Sequence, residues 1–456
     1  MIEPERLRER SGAPERPGSH VLYWMQQSQR ARFNPALETA VAIANRLKLP
    51  VLVGFGLTDA YPEANARHYA FMLQGLAEVE AALHRRGIGF ALRLGAPERV
   101  AIDLAKEAAV VVCDRGYLRH QKAWRDTLAT TVGCRVIEVE GDAVVPVACA
   151  SGKEEIAART LRPKILRRRD DFLKPLRAHK VAVPADCLPG ARSVDLSDVT
   201  RLVSRLAIDH AVGASSRFIG GTSEALRRLR RFIAHALDDY AQSRSEPARE
   251  QVSCLAAYLH FGQISPVEIA LAVRDAAADR PDRAAYLEEL IVRRELAINF
   301  VEYEPAYDSY DAVPEWARLT LDKHRRDKRP HLYEMQELES ASTADPYWNA
   351  AMREMTATGY MHNHMRMYWG KKILEWSKRP EQAFATALAL NNRYFLCGRD
   401  PSSYANVGWC FGLHDRPWPE RPVFGTVRSM TASGLERKTD IDAYVRRVDE
   451  LVAAGG

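Results

Sequence analysis

Hydrophobic positions in the first 150 residues follow two alternating rhythms. Short runs rich in β-branched and aromatic residues, "HVLYWM" (20–25), "PVLVGF" (50–55), "IGFALRL" (88–94), "AVVVCD" (109–114) and "CRVIEVE" (134–140), predict strands covered on both faces. Between them the apolar spacing lengthens to three and four. "NPALETAVAIANRLK" predicts a helix with Asn34 as N-cap and Pro35 in its first position, and "ARHYAFMLQGLAEVEAALHRRG" one that stops at Gly87. Strand and helix in this alternation predict a doubly wound parallel α/β sheet over residues 19–150. "VGFGL" places two glycines after a strand but lacks the third glycine of a dinucleotide fingerprint.

Beyond Gly220 the rhythm is helical, in segments 222–241, 281–302, 345–358, 363–376 and 381–390, which predicts an all-α domain over 216–456. Residues 151–215, basic and then irregular with prolines ("AVPADCLPGARSVDLSD", 182–198), read as an interdomain linker. The opening "MIEPERLRERSGAPERPG" (1–18) is charged and has no apolar core, so a disordered arm is expected there and not a signal peptide.

Composition narrows the class. Of 456 residues, 46% are hydrophobic and 27% charged, as in ordinary globular proteins, and no apolar run is long enough to predict a membrane span. The seven cysteines are scattered, with no C-x-x-C, which favours reduced thiols and a cytoplasmic location over a disulfide frame or zinc ribbon. Net charge is +6, and between Lys153 and Lys180 ten basic residues face four acidic ones, an excess equal to that of the whole chain. With "RRLRR" (227–231) and "KHRRDKRPH" (323–331), this is either the footprint of a polyanion or a solvated surface.

"MHNHMRMYWGKKILEW" (361–376) is the densest chemistry in the chain. His362 and His364, two apart on a helix, point roughly 200° from each other, whereas helical metal pairs need a spacing of three or four. No metal is expected. Trp369 and Trp376 lie two turns apart, about 10 Å along one face. Core packing explains such a stripe, but Trp348, Tyr333, Tyr368 and Trp409 crowd the same region. Oxidisable rings gathered this way also suit one-electron chemistry, which requires a cofactor.

Four strings in order, "VSCLAAYLHFGQIS" (252–265), "YLEELIVRRELAINF" (286–300), "MHNHMRMYWGKKILEW" and "NNRYFLCGRDPSSYANVGWCFGLHD" (391–415), resemble the DNA photolyase and cryptochrome family. "YWGKKILEW" and "EELIVRRELA" look like its class II cyclobutane pyrimidine dimer photolyases. In the first half "AARTLRPKI" (157–165) follows the family well and "VLYWMQQSQRARFNPAL" (21–37) in part.

The resemblance implies FAD, reduced and anionic when active, bent inside the helical domain. Val252, Ser253, Cys254, Leu255 and Ala256 would hold its pyrophosphate, with Tyr240 and Arg244 upstream. Ala256 and Ala257 replace the serine and proline of many relatives, which removes one side-chain contact. Asn363 and Arg366 would flank the isoalloxazine, Asn391 would lie near its redox nitrogen, and Asp400 and Asn406 would belong to the flavin-facing loop. Glu289 would hydrogen-bond the lesion; its alternative is a helical ion pair with Arg293. Trp369, Trp348 and Trp376, in that order outward, would pass electrons to the cofactor, with Tyr333 and Tyr368 assisting. Trp409 would stack on an extruded dimer, with Arg428 filling the gap and Arg293 on DNA. The implied activity is light-driven repair of cyclobutane pyrimidine dimers in UV-damaged DNA of any sequence, by a monomer. Some members carry a second, antenna pigment in the first domain. The rival readings are a cryptochrome-like photoreceptor, a light-independent flavoprotein and a nucleic-acid-binding α/β module.

Overall fold

The computed structural model describes residues 2–185 and 193–455. Six strands, β1 (Leu7–Glu9), β2 (His20–Trp24), β3 (Val51–Leu57), β4 (Gly89–Leu94), β5 (Ala108–Asp114) and β6 (Arg135–Val139), form one sheet in the order β1-β6-β5-β2-β3-β4. All pairs are parallel except β1 with β6.

The period-two pleat decides which helices cover which face. Val21, Tyr23, Val53, Phe55, Val110 and Val112 pack with the Pro35–Leu47 and Ala66–Arg85 helices. Leu22, Trp24, Leu52, Val111 and Cys113 point the other way, against the Pro97–Ala105 and Arg119–Thr131 helices. Both faces are therefore dry, which is why these strands show no polar alternation. The helix ends follow local chemistry: the Asn34 side chain accepts from Leu37 N at 3.0 Å, and Gly87 takes φ +72° just beyond Arg85.

The back half is helical. Arg294–Tyr303, Pro346–Thr358, Asn363–Trp376, Pro380–Tyr394, Pro401–Cys410 and Ile441–Ala453 share one core, in which Trp348, Trp369, Tyr368 and Tyr444 are among the largest buried side chains. Two predicted helices are divided. The 222–241 segment is helical over Thr222–His235 and again over Tyr240–Ser243, and the 281–302 segment changes to π-helical winding at Glu288–Arg293.

The expected disordered arm is corrected. Residues Leu7–Glu9 add an antiparallel edge strand to β6, and Arg6, 5% exposed, donates to the carbonyls of Glu140, Ala143 and Val144. Its charge is met by the Glu3 carboxylate at 3.0 Å and by these carbonyls in place of water.

The 151–215 segment between the two halves is not irregular throughout. Residues Ala158–Phe172 form a helix whose Ala158, Leu161, Ile165 and Phe172 are buried, a spacing of three, four and seven that the charge count masked. Leu196, Val203 and Leu206 pack back on the sheet side. Residues 186–192 of that segment, with Cys187, lie outside the described residues.

Two buried arginines tie the halves together. Arg30 bonds Asp142 at 2.8 Å and the carbonyls of Gly141 and Gly262. Arg67 reaches the carbonyls of Met355, Thr356 and Tyr394. Gly262 sits at φ +65°, where a Cβ would lie 2.2 Å from the Gln27 carbonyl oxygen, so glycine lets the two main chains meet.

Candidate cofactor and substrate site

The Asn363–Trp376 helix begins with His362 as N-cap: its Nδ1 accepts from His364 N at 3.2 Å. Burial, and then the neighbouring His364, push the His362 ring down to about 3, so it is neutral and Nε2 carries the hydrogen. His362 Nε2, Arg366 Nε and Trp369 Nε1 are buried N–H groups; the last two have no hydrogen-bond partner, and the first has only the Arg244 main-chain carbonyl beside it. Their spacing of four and three puts them on one helical face. Two unmet donors beside a third on one face fit a group rich in acceptors. Arg366 is otherwise held flat, its guanidinium 3.6 Å from the Phe395 ring centre and Nη2 3.3 Å from Cys397 Sγ.

Behind this face the tryptophans touch in series. Trp369 and Trp348 stack at 6.5 Å and 10°, Trp348 meets Trp376 edge-on at 5.5 Å, and Trp376 meets half-buried Tyr333 at 5.1 Å. The three indoles are essentially excluded from solvent. The buried Tyr368 phenol is bonded to Asp345, which also caps the Pro346–Thr358 helix.

Glu289 lies in the π-helical turn, a winding that moves side chains off the α-helical register. Arg244 meets it at 2.7 Å, both side chains being about one-third exposed. Arg293, the partner expected under the ion-pair alternative, instead faces Glu288 at 3.4 Å, and Arg162 binds Glu288 through two nitrogens. Tyr240 is pushed up to about 12, by burial first and by the Glu289 charge second. Its ring packs on Tyr286, whose hydroxyl donates to Ser253 Oγ at 3.0 Å. Cys254 adopts φ +52°, uncommon for a side chain with a Cβ, between half-buried Val252 and Ser253 and buried Leu255. Ala256, exposed, opens a helix of only five residues, Ala256–His260. The Arg244 main chain lies beside the His362 ring, so this group adjoins the row of donors.

Asn391 is buried and donates to Asn392 Oδ1 at 3.0 Å. Asp400 caps the Pro401–Cys410 helix and faces His260 Nδ1 at 3.4 Å. Burial pushes its carboxyl up, but the His260 contact and the Arg294 charge outweigh it, leaving it below the ordinary range. Asn406 is half-buried within that helix, and Asn363 is exposed in the first turn of its own.

At the end of the Pro401–Cys410 helix the Trp409 ring is half-buried, with the Arg428 guanidinium at 5.5 Å and the Lys371 ammonium at 4.8 Å. Sequence reasoning passed over Lys371, Tyr286 and His260. In the sequence Lys371 is one of two adjacent lysines, with nothing to mark which of them is buried.

A separate, small cavity of ≈ 60 Å³ opens at the carboxyl ends of β2 and β3, beside the point where strand order reverses. Gln26, Thr58, Tyr61, His68, His260 and Arg399 line it, so both halves contribute. Doubly wound sheets bind ligands at such a place. Among the described residues no three His, Cys, Asp or Glu side chains gather as a metal set.

The orphaned donors, the half-exposed Glu289–Arg244 pair and the kinked 252–256 loop fit an acceptor-rich, anionic dinucleotide such as FAD. Comparison with known proteins points the same way. Residues 21–184 match the model of the DNA photolyase family, and residues 286–374 that of the FAD binding domain of DNA photolyase. A deoxyribodipyrimidine photo-lyase of Methanothermobacter thermautotrophicus is 46% identical over 99% of this chain and 100% of its own. One from Arabidopsis thaliana is 39% identical over 95% of this chain and 89% of its own. In fold, a class III photolyase from Agrobacterium tumefaciens superposes with a TM-score of 0.74 at 23% identity, covering 96% of this chain and 88% of that one. A Sulfolobus tokodaii photolyase described with two FAD molecules gives 0.71 at 15% identity, covering 94% and 89%.

Proposed function

The chain belongs to the DNA photolyase family, and from that premise we propose that it is a deoxyribodipyrimidine photo-lyase that repairs cyclobutane pyrimidine dimers in UV-damaged DNA under light. The observation that carries this reading is the unbroken series of buried indoles ending on a helical face of unpartnered donors.

Bound in its reduced form, FAD supplies the excited electron that opens the cyclobutane ring and accepts it back. The residues do the rest. Arg366, held against Phe395, gives positive charge where the cofactor is to be anionic, and His362 and Trp369 offer it N–H donors. Asn391, with Asp400 and Asn406 at the start of and within the Pro401–Cys410 helix rather than in a loop, would flank it, and Val252–Ala256 with Tyr240 and Arg244 would take its phosphates. With Arg244 turned to the phosphates, Glu289 in its carboxylic acid form would donate a hydrogen bond to a carbonyl of the dimer and steady added charge on it. Trp409 stacks on the extruded bases, since a dimer inside the duplex is out of reach, while Arg428 fills the vacated space and Arg293 meets phosphate. Trp376, Trp348 and Trp369 relay electrons inward to restore the reduced state, with Tyr333 at the outer end.

The class II assignment rests on "YWGKKILEW" and "EELIVRRELA". The unit around 19–150 serves as an antenna domain, where a second light-absorbing group would bind. DNA is held through phosphates without reading sequence. We place the protein in the cytoplasm as a monomer; no helix of the described residues is long and apolar enough to cross a membrane.

The test is to incubate FAD-loaded, reduced protein with UV-irradiated DNA in light and in darkness and to count dimers. Light-dependent loss supports repair. Persistence of dimers in the light, with the flavin bound and photochemically active, would favour a photoreceptor.

A further inference from the structure

Lys371 is fully buried on the helix that carries Trp369 and Trp376. Its ammonium donates to the carbonyl oxygen of Cys410 at 2.6 Å, approaches that of Trp409 at 3.4 Å, and lies 4.8 Å from the centre of the Trp409 ring. We propose that Lys371 is a positioning residue for repair: it clamps the C-terminal turn of the Pro401–Cys410 helix and fixes the Trp409 ring in the plane on which the extruded dimer stacks. The proposal rests on the reading of Trp409 as that platform.

A buried ammonium is expensive, and a methionine of similar length would fill the same space without the desolvation cost. Retaining the charge needs a reason, and the local geometry supplies one. The last carbonyls of a helix carry partial negative charge and favour a cation. An indole face attracts the same cation, more strongly when water is excluded. Gly370 sets the approach, because a Cβ there would lie 2.5 Å from Cys410 Sγ, so the two helices come close enough for a short reach from Lys371. Arg428, at 5.5 Å, is a second cation near the same ring, but it is half-buried and shared with Trp418 at 4.8 Å. Lys371 is therefore the fixed contact and Arg428 the movable one.

The clamp is also titratable. Burial pushes the Lys371 ammonium down to about 8; Cys410 on the facing helix and Asp415 in the following loop oppose that shift, and Arg428 adds to it. Burial pushes the Cys410 thiol up, and Lys371 first and Arg366 second, both on the facing helix, hold it partly down. The charge is present below about pH 8 and is lost as pH rises through that value, so in mild alkali the clamp keeps an N–H bond to the Cys410 carbonyl but loses its charge contribution.

The experiment measures the affinity of the FAD-loaded protein for an oligonucleotide bearing one cyclobutane thymine dimer and for its undamaged twin. The range runs from about pH 6.5 to about pH 9.5, and the proteins are wild type, K371M, K371R and W409A. Preference of the wild type for the dimer is expected to fall roughly tenfold on crossing about pH 8, the lower end of one base–aromatic stack. K371R, which does not titrate, should keep the preference across the range, and K371M should be low and flat. A wild-type profile without the step overturns the proposal even if no variant folds, as does a K371M profile that matches wild type. If W409A retains full preference, the platform reading falls too; if only W409A loses it, Lys371 alone is wrong.

Discussion

The Trp348 indole lies parallel to that of Trp369, at 10° and 6.5 Å between ring centres, and donates its N–H to the Trp369 carbonyl at 3.0 Å. One helix thus fixes a ring of the next through a main-chain bond, leaving the stack no freedom to slip. Replacing Trp348 or Trp369 by Phe should abolish photoreduction of the oxidised cofactor while protein reduced beforehand still repairs. Transient absorption and a single-turnover repair assay read the two separately. The Trp348 change should also cost about 1–3 kcal/mol of stability through the space it leaves.

Glu288 and Glu289 are sequence neighbours with different partners, Arg162 and Arg293 for the first and Arg244 for the second. E289Q should lower the repair yield per absorbed photon severalfold or more by replacing the acid O–H with a weaker amide donor to the dimer. E288Q should leave that yield unchanged and cost at most about 1 kcal/mol, as partly exposed ion pairs do. Equal yields for the two variants would remove Glu289 from the mechanism.

Arg428 reaches both Trp409 and Trp418. W409A should reduce discrimination between damaged and undamaged DNA by roughly tenfold or more, and R428A by less. Affinity for undamaged DNA should fall steeply with salt, losing about 0.9 from the log–log slope for each phosphate contact removed. Competition binding across a salt series measures both.

How much was legible in the residues depended on where the stabilising partner lies. Strands β2 to β6 and the long helices follow from local periodicity, and the Asn34 cap and the Gly87 stop were readable because the reason for each is within a few residues. The Leu7–Glu9 strand was not, because its partner β6 is more than 120 residues away and its own composition is charged. Helix Ala158–Phe172 was hidden for a related reason: the arginines on its open faces outnumber the four apolar side chains that hold it. In the site, the tryptophan order and the special place of Glu289 came from a resemblance between strings, while the π-helical turn, the Glu289–Arg244 contact and the buried Lys371 required coordinates.

Gly262 predicts the strength of the seam between the halves. At φ +65°, with the Gln27 carbonyl 2.2 Å from any Cβ, G262A should lose about 2–4 kcal/mol from combined strain and steric conflict. Denaturant unfolding of the apoprotein tests this, and a loss below about 0.5 kcal/mol would mean the seam yields easily.

The central claim is that the face formed by His362, Arg366 and Trp369 receives FAD. A crystal structure of the FAD-bound protein tests it most directly. The account predicts one flavin within contact of Arg366 and Trp369, with the orphaned N–H groups closed onto the cofactor or onto water that it orders, and the adenine side reaching the 252–256 loop. A protein that binds no FAD, or binds it away from this helix, would contradict it.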